Sequence, residues 1–138
     1  MTTQRTDEAP SRTKPKIALL AEDYERLSLL ARAAMSKMPE LADGLAEELE
    51  RAHVLPKGRQ SKDIVSMGSA VEFRDNTTGK SRRVILVYPE QADISQGRIS
   101  VLTPVGTALI GLSAGQSITW KTRSGESRQL TVIQIGMP

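Results

Sequence analysis

The spacing of apolar residues changes once along this chain, and that change restricts the fold more than any single motif does. Leu27, Leu30, Ala31, Ala34 and Met38 recur at intervals of three and four, with Tyr24 one turn earlier. That periodicity lines one face of a helix. Leu41, Leu45, Leu49 and Ala52 repeat the pattern after Met38-Pro39-Glu40, where proline ends one helix and suits the first position of the next. From Ile64 onward the period is two: Val71 and Phe73 alternate with Glu72 and Arg74, and Ile118 and Trp120 alternate with Thr119 and Lys121. Helices first and strands afterwards predict an α+β chain rather than an alternating α/β one.

The helical part reads as a short extended lead-in at Ile17 to Leu20, a helix capped by Asp23 and running to about Met38, and a second helix from about Glu40 to about His53. The two stripes predict an antiparallel hairpin, a short coiled coil over 17–55 with its tip at Lys37 to Glu40. Arms of about 15 residues reach about 22 Å. Glu40 and Asp43 fall where the second helix's dipole favours acids, Glu47 precedes Arg51 by one turn, and Gly44 weakens the helix by about 1 kcal/mol relative to alanine. A hairpin this short needs a neighbour to lean on.

Residues 1–16 are rich in Thr, Arg, Lys and Pro with almost nothing apolar, which predicts a disordered tail. Residues 56–63, punctuated by Pro56 and Gly58, read as a linker to a second domain at 64–138. There, Asp75 to Lys80 is a turn, Val84 to Tyr88 a doubly buried strand, Pro89 to Gly97 a loop and Ile99 to Val101 a short strand. Arg123-Ser124-Gly125-Glu126 turns the chain into Leu130 to Ile135. The apolar phase of this last strand shifts between Val132 and Ile133, so a bulge or a doubly buried end is expected.

Thr103 to Gln116 joins the two β-rich halves. Pro104 and Gly106 suit a turn, Thr107 can cap, Ala108 to Ile110 supply one helical turn, and Gly111 and Gly115 end it. The expectation is a short helix on a small, curved antiparallel sheet.

Charge is segregated. Residues 17–55 carry eight acidic and four basic side chains, whereas 65–138 carry eight basic and five acidic. A molecule with two oppositely charged regions suits a partner that is itself charged. The chain has no cysteine and one histidine, His53, which excludes disulfides, thiolate metal sites and two-histidine sites. No signal-peptide run opens the sequence and no eighteen apolar residues are consecutive, so a soluble cytoplasmic protein is expected. Gly106 to Ser113 mimics the spacing of a phosphate-binding loop but has Leu112 where that loop needs lysine. His53 stands far along the chain from any serine elbow. No enzyme, cofactor or metal site is read from the residues, nor a nucleoside diphosphate kinase.

Met67-Gly68-Ser69, Asp75-Asn-Thr-Thr-Gly79, Val87-Tyr88-Pro89, Thr103 to Leu112, Gly115-Gln116 and Ser124-Gly125-Glu126, in that order, resemble the C-terminal domain of the Gre transcription-cleavage factors. The short hairpin ahead, with Ala46 to Ala52 before the link, is more narrowly similar to the Rnk branch, the regulators of nucleoside diphosphate kinase. The resemblance covers roughly 17–135. It implies an FKBP-like domain that docks at the rim of the RNA polymerase secondary channel, through Thr103, Pro104, Val105 and Gly106 and the Ser124, Gly125, Glu126 turn. It also implies a hairpin tip at Lys37, Glu40 and Asp43 inside the channel, in competition with Gre factors. Rnk-like members are expected to occupy the channel without cleaving RNA. Glu40 and Asp43 resemble the carboxylate pair with which longer Gre factors bind a magnesium ion, which leaves transcript cleavage as an alternative. Prolyl isomerisation, the other activity of FKBP-like folds, is the less favoured alternative, because 64–138 offer only Phe73, Tyr88 and Trp120 to line a pocket.

Overall fold

The computed structural model describes residues 14–58, 63–122 and 124–136. Most of the expected N-terminal tail, residues 59–62 of the expected linker, and Arg123 lie outside the described residues.

Two helices come first, between two very short strands. β1 (Ala18–Leu19) leads into α1 (Ala21–Ala34), and α2 (Pro39–Arg51) leads into β2 (His53–Val54). β1 and β2 pair in parallel, with Ala18 opposite His53 and Leu19 opposite Val54. The chain thus enters and leaves the helical pair at one place. Leu27, Ala31 and Ala34 of α1 and Leu45 and Leu49 of α2 are buried, as their spacing predicts; Ala42, outside the expected stripe, is buried as well, whereas Met38, expected on it, is exposed because it lies beyond the end of α1. Three details differ from expectation. α1 starts two residues before Asp23, with Leu20 as its N-cap, so Asp23 sits in the first turn and its carboxylate is free for another partner. α1 stops at Ala34, and 35–37 make a turn closed by Met38 N donating to Ala34 O at 2.7 Å. α2 stops at Arg51, because Ala52 is extended (φ −79°, ψ 143°) and His53 is claimed by the pairing with Ala18.

The remaining strands are β3 (Ala70–Asp75), β4 (Ser81–Val87), β5 (Arg98–Ser100), β6 (Ser117–Lys121) and β7 (Ser127–Gly136). They form one five-stranded sheet in the order β5-β4-β3-β7-β6. The sheet is mixed rather than wholly antiparallel, because β5 runs parallel to β4. Between them, 88–97 make two 3₁₀ turns and return the chain to Ile85, so that β5 starts alongside the middle of β4 and runs the same way. The phase shift expected in the last strand is a bulge. Glu72 pairs with Gln134 but Phe73 with Val132, which leaves Ile133 without a cross-strand partner and 41% exposed.

α3 (Pro104–Leu109) is the short helix expected in the central run, longer than the single turn predicted. Its cap is Thr103, not Thr107. Thr103 Oγ1 accepts from Gly106 N at 3.1 Å, and Thr107 Oγ1 instead donates to Val101 O at 2.7 Å. A threonine directly before Pro104 already caps the free amide of Gly106 in the first turn, so the later one is released for tertiary bonding. Gly111, at φ +83°, ends this segment against the entry strand, where a Cβ would lie 2.9 Å from Ile17 Cβ. Leu19, Leu27 and Leu45 share one continuous core with Val71, Leu86, Leu109, Ile110, Leu112, Leu130 and Val132. At about 2 kcal/mol per fully buried leucine, Leu19, Leu27 and Leu45 anchor the N-terminal elements to the sheet.

Candidate functional site

The residues expected at the tip are all exposed. Lys37 is in the turn between the helices, and Glu40 and Asp43 lie in the first two turns of α2, one helical turn apart. Exposed Met35 and Met38 flank them. Among the described residues, no three His, Cys, Asp or Glu side chains gather as metal ligands. Any ion held by the Glu40 and Asp43 carboxylates would take its other ligands from a second molecule.

The residues expected to dock form two neighbouring elements. Thr103, Pro104 and Val105 are partly exposed at the start of α3, while Gly106 is buried beneath them. A Cβ on Gly106 would come within 2.9 Å of Val101 Cα and collide with the Ser100 carbonyl, so this glycine lets α3 sit down on the end of β5. Ser124, Gly125 and Glu126 are exposed in the β6–β7 turn, where Gly125 takes φ +86° and Thr122 N donates to Glu126 O at 2.9 Å.

An open groove of about 1100 Å³ brings parts of both sets together. One wall is α2, with Glu40, Leu41, Gly44 and Glu47; the other is α3 and the β6–β7 hairpin, with Pro104, Trp120 and Gly125. Lys37, Asp43, Thr103, Val105, Gly106, Ser124 and Glu126 do not line it.

Two clusters that sequence reasoning missed tie the helices to neighbouring segments of the chain. Glu48, 2% exposed on α2, accepts from Lys14 Nζ at 3.1 Å and from Arg51 Nη2 at 2.6 Å, and Arg51 Nη1 also donates to the Pro15 carbonyl. Arg51 therefore pairs three residues back, with Glu48, rather than four back with Glu47; both spacings were open on a helix, and burial of Glu48 selects the former. On the other arm, Asp23 Oδ2 accepts from Met67 N at 3.1 Å. Burial raises the Asp23 carboxyl above its ordinary value, against the lowering effect of that amide. The Arg26 guanidinium lies 4.0 Å from the centroid of the Tyr88 ring. Burial, with the Asp23 charge second, pushes the Tyr88 hydroxyl up to about 12.

At the sheet end of the groove wall, Arg128 Nη1 donates to Asp75 Oδ2 at 2.7 Å. Partial burial would raise Asp75, but the Thr77 amide and Arg128 outweigh it and leave the carboxyl below its ordinary value.

Comparison with known proteins agrees with this architecture. Residues 60–137 match the family model "Transcription elongation factor, GreA/GreB, C-term", and residues 15–55 match "Rnk N-terminus". The chain is 37% identical over 124 residues to the "Regulator of nucleoside diphosphate kinase" of Escherichia coli K12, covering 89% of this chain and 90% of that one. It is 36% identical over 77 residues to the "Transcription elongation factor GreA" of Thermodesulfovibrio yellowstonii, covering 56% of this chain and 49% of the relative. Among solved structures, a prokaryotic transcription elongation factor GreA/GreB from Nitrosomonas europaea superposes with a TM-score of 0.68 at 35% identity, covering 89% of this chain and 99% of that one.

Proposed function

The chain belongs to the GreA/GreB transcription elongation factor family, with an Rnk N-terminus ahead of the shared C-terminal region, and from that membership we propose that it binds RNA polymerase and occupies the secondary channel without cleaving RNA. We read α1 and α2 as an antiparallel hairpin, since the strand entering the first helix pairs with the strand leaving the second, and the curved sheet with α3 as FKBP-like. On this reading the chain has a hairpin domain at 17–55 and a docking domain at 64–138, joined by a linker at 56–63.

Docking falls to Thr103, Pro104 and Val105, supported from beneath by Gly106, and to the Ser124-Gly125-Glu126 turn. Lys37, Glu40 and Asp43 lead into the channel. An acidic hairpin directed toward a metal-containing pore is attracted electrostatically before contact.

The observation that carries the non-cleaving part is length. α1 and α2 have 14 and 13 residues, and 13 residues of helix extend about 20 Å. Carboxylates that activate water on a metal must be placed to within about an ångström, and a short arm does not deliver that precision at depth. Occlusion and charge do not need it.

The test uses a backtracked elongation complex. The full-length protein should co-purify with core polymerase, compete with a Gre factor for it and slow Gre-stimulated cleavage, releasing no short 3′ RNA of its own. Release of such fragments, abolished by Glu40→Ala with Asp43→Ala, would establish the cleavage alternative instead.

A further inference from the structure

The groove between α2 and the β6–β7 hairpin has unused binding groups on both walls. Leu41 and Trp120 are half-buried in its lining, and the Trp120 indole N–H has no hydrogen-bond partner among the described residues. Glu40 and Glu47 on the α2 wall are exposed and form no ion pair among the described residues, and neither does Lys121 on the opposite wall. At about 1100 Å³ the groove is larger than the roughly 300–1,000 Å³ of clefts that enclose small molecules, and it is open, which suits a length of chain. Lys14, the first described residue, lines it, with Nζ 3.1 Å from Glu48 Oε2. The Pro15 carbonyl accepts from Arg51 Nη1, so both residues are pinned to the end of α2. Residues 1–13 therefore join the described structure at the groove itself.

We propose that residues 1–13 of the same chain occupy this groove. Their sequence complements the two walls. Arg5 and Arg12 are cations for Glu40 and Glu47, Asp7 and Glu8 between them answer Lys121, and Pro10 is the residue for the Trp120 ring. Proline-containing segments suit aromatic-lined grooves because little conformational freedom remains to be lost. The reach is sufficient: α2 rises about 12 Å from Glu48 to Glu40, and an extended chain from Lys14 to Arg5 spans up to about 30 Å. The tether selects this occupant over a free peptide or a second copy, because a short linker gives a local concentration on the order of millimolar. Pro104 and Gly125, from the two elements proposed to dock on polymerase, line the same groove, so the segment covers them. That masking rests on the proposed function, whereas the contact itself does not.

The test is nuclear magnetic resonance of the full-length protein with a nitroxide on Ala9→Cys, a unique attachment point because the chain has no cysteine. The label should broaden the Trp120 indole signal and the amides of Thr119 and Lys121, and leave Arg98 on β5, at the opposite edge of the sheet, sharp. Glu40→Gln with Glu47→Gln should restore much of the lost intensity, as should salt at about 1 M, where the screening length is about 3 Å. The contact is overturned if the indole stays sharp, if Arg98 broadens as strongly, or if the double substitution is silent. It is also overturned if spin-labelled protein broadens the indole of a label-free copy mixed with it, since the occupant is then a second molecule. A groove left free in about one molecule in ten lowers apparent affinity about tenfold, so removing residues 2–13 should tighten binding to core polymerase by about that factor. Broadening without that gain overturns the masking. Broadening with no polymerase binding by either protein overturns the proposed function and upholds the contact.

Discussion

The carboxylate of Asp23, in the first turn of α1, accepts a hydrogen bond from the backbone amide of Met67, 44 residues away and just ahead of the sheet, at 3.1 Å. This bond ties the first helix to the body that carries the proposed docking elements. Asp23→Ala should leave the Met67 amide without its partner and destabilise the protein by about 1–3 kcal/mol. Denaturant unfolding of the two proteins at neutral pH measures the difference.

The same carboxylate has a pH signature. Burial raises its folded value above the ordinary 3.8, so in that window the folded state binds the proton more readily than the unfolded chain. Its contribution to stability therefore rises as pH falls from the raised value toward 3.8, and declines as pH rises. Unfolding followed by circular dichroism should show this slope in the wild type and lose it in Asp23→Asn.

Asp75 behaves oppositely. Its folded value lies below 3.8 because the Thr77 amide and Arg128 outweigh burial, so its stabilisation is present above 3.8 and disappears as pH falls below it. Arg128 is 32% exposed, and the pair is worth about 0.5–1 kcal/mol after solvent screening. Arg128→Ala should cost that amount at pH 7 and nothing at a pH below both values.

Two glycines should respond with opposite signs. Gly44 lies in α2 with nothing within 4 Å of an added Cβ and with no positive φ, so Gly44→Ala should stabilise by about 0.5–1 kcal/mol through helix propensity. At Gly106 the added Cβ meets the Ser100 carbonyl and Val101 Cα, both backbone, so Gly106→Ala should destabilise by about 2–4 kcal/mol. Thermal melts of both variants decide the signs.

What the sequence disclosed follows from how local each signal is. Period and proline placed both long helices and their junction, and the phase break between Val132 and Ile133 located the bulge, because each depends on neighbours in the chain. The direction of β5 did not show, since a three-residue strand carries no mark of which way its partner runs. Asp23 fits an N-cap by residue type, but only the backbone decides which residue precedes the first turn, and that residue is Leu20. Glu48 with Arg51 was legible as a helical spacing. That Lys14 completes the cluster from 34 residues away was not. Of the expected functional residues, the exposure of Lys37, Glu40 and Asp43 at the junction was readable, whereas the burial of Gly106 depends on where α3 meets β5.

The central claim is that the end of the helical pair enters the polymerase secondary channel, and the most direct measurement is photocrosslinking from that end. A benzophenone placed at position 40, which is exposed and makes no core contact, is irradiated in a complex of the full-length protein with core polymerase. The account predicts crosslinks to residues lining the secondary channel, suppressed by excess Gre factor. Crosslinks confined to the outer surface of the enzyme, or crosslinking into the channel that a Gre factor leaves untouched, would contradict it.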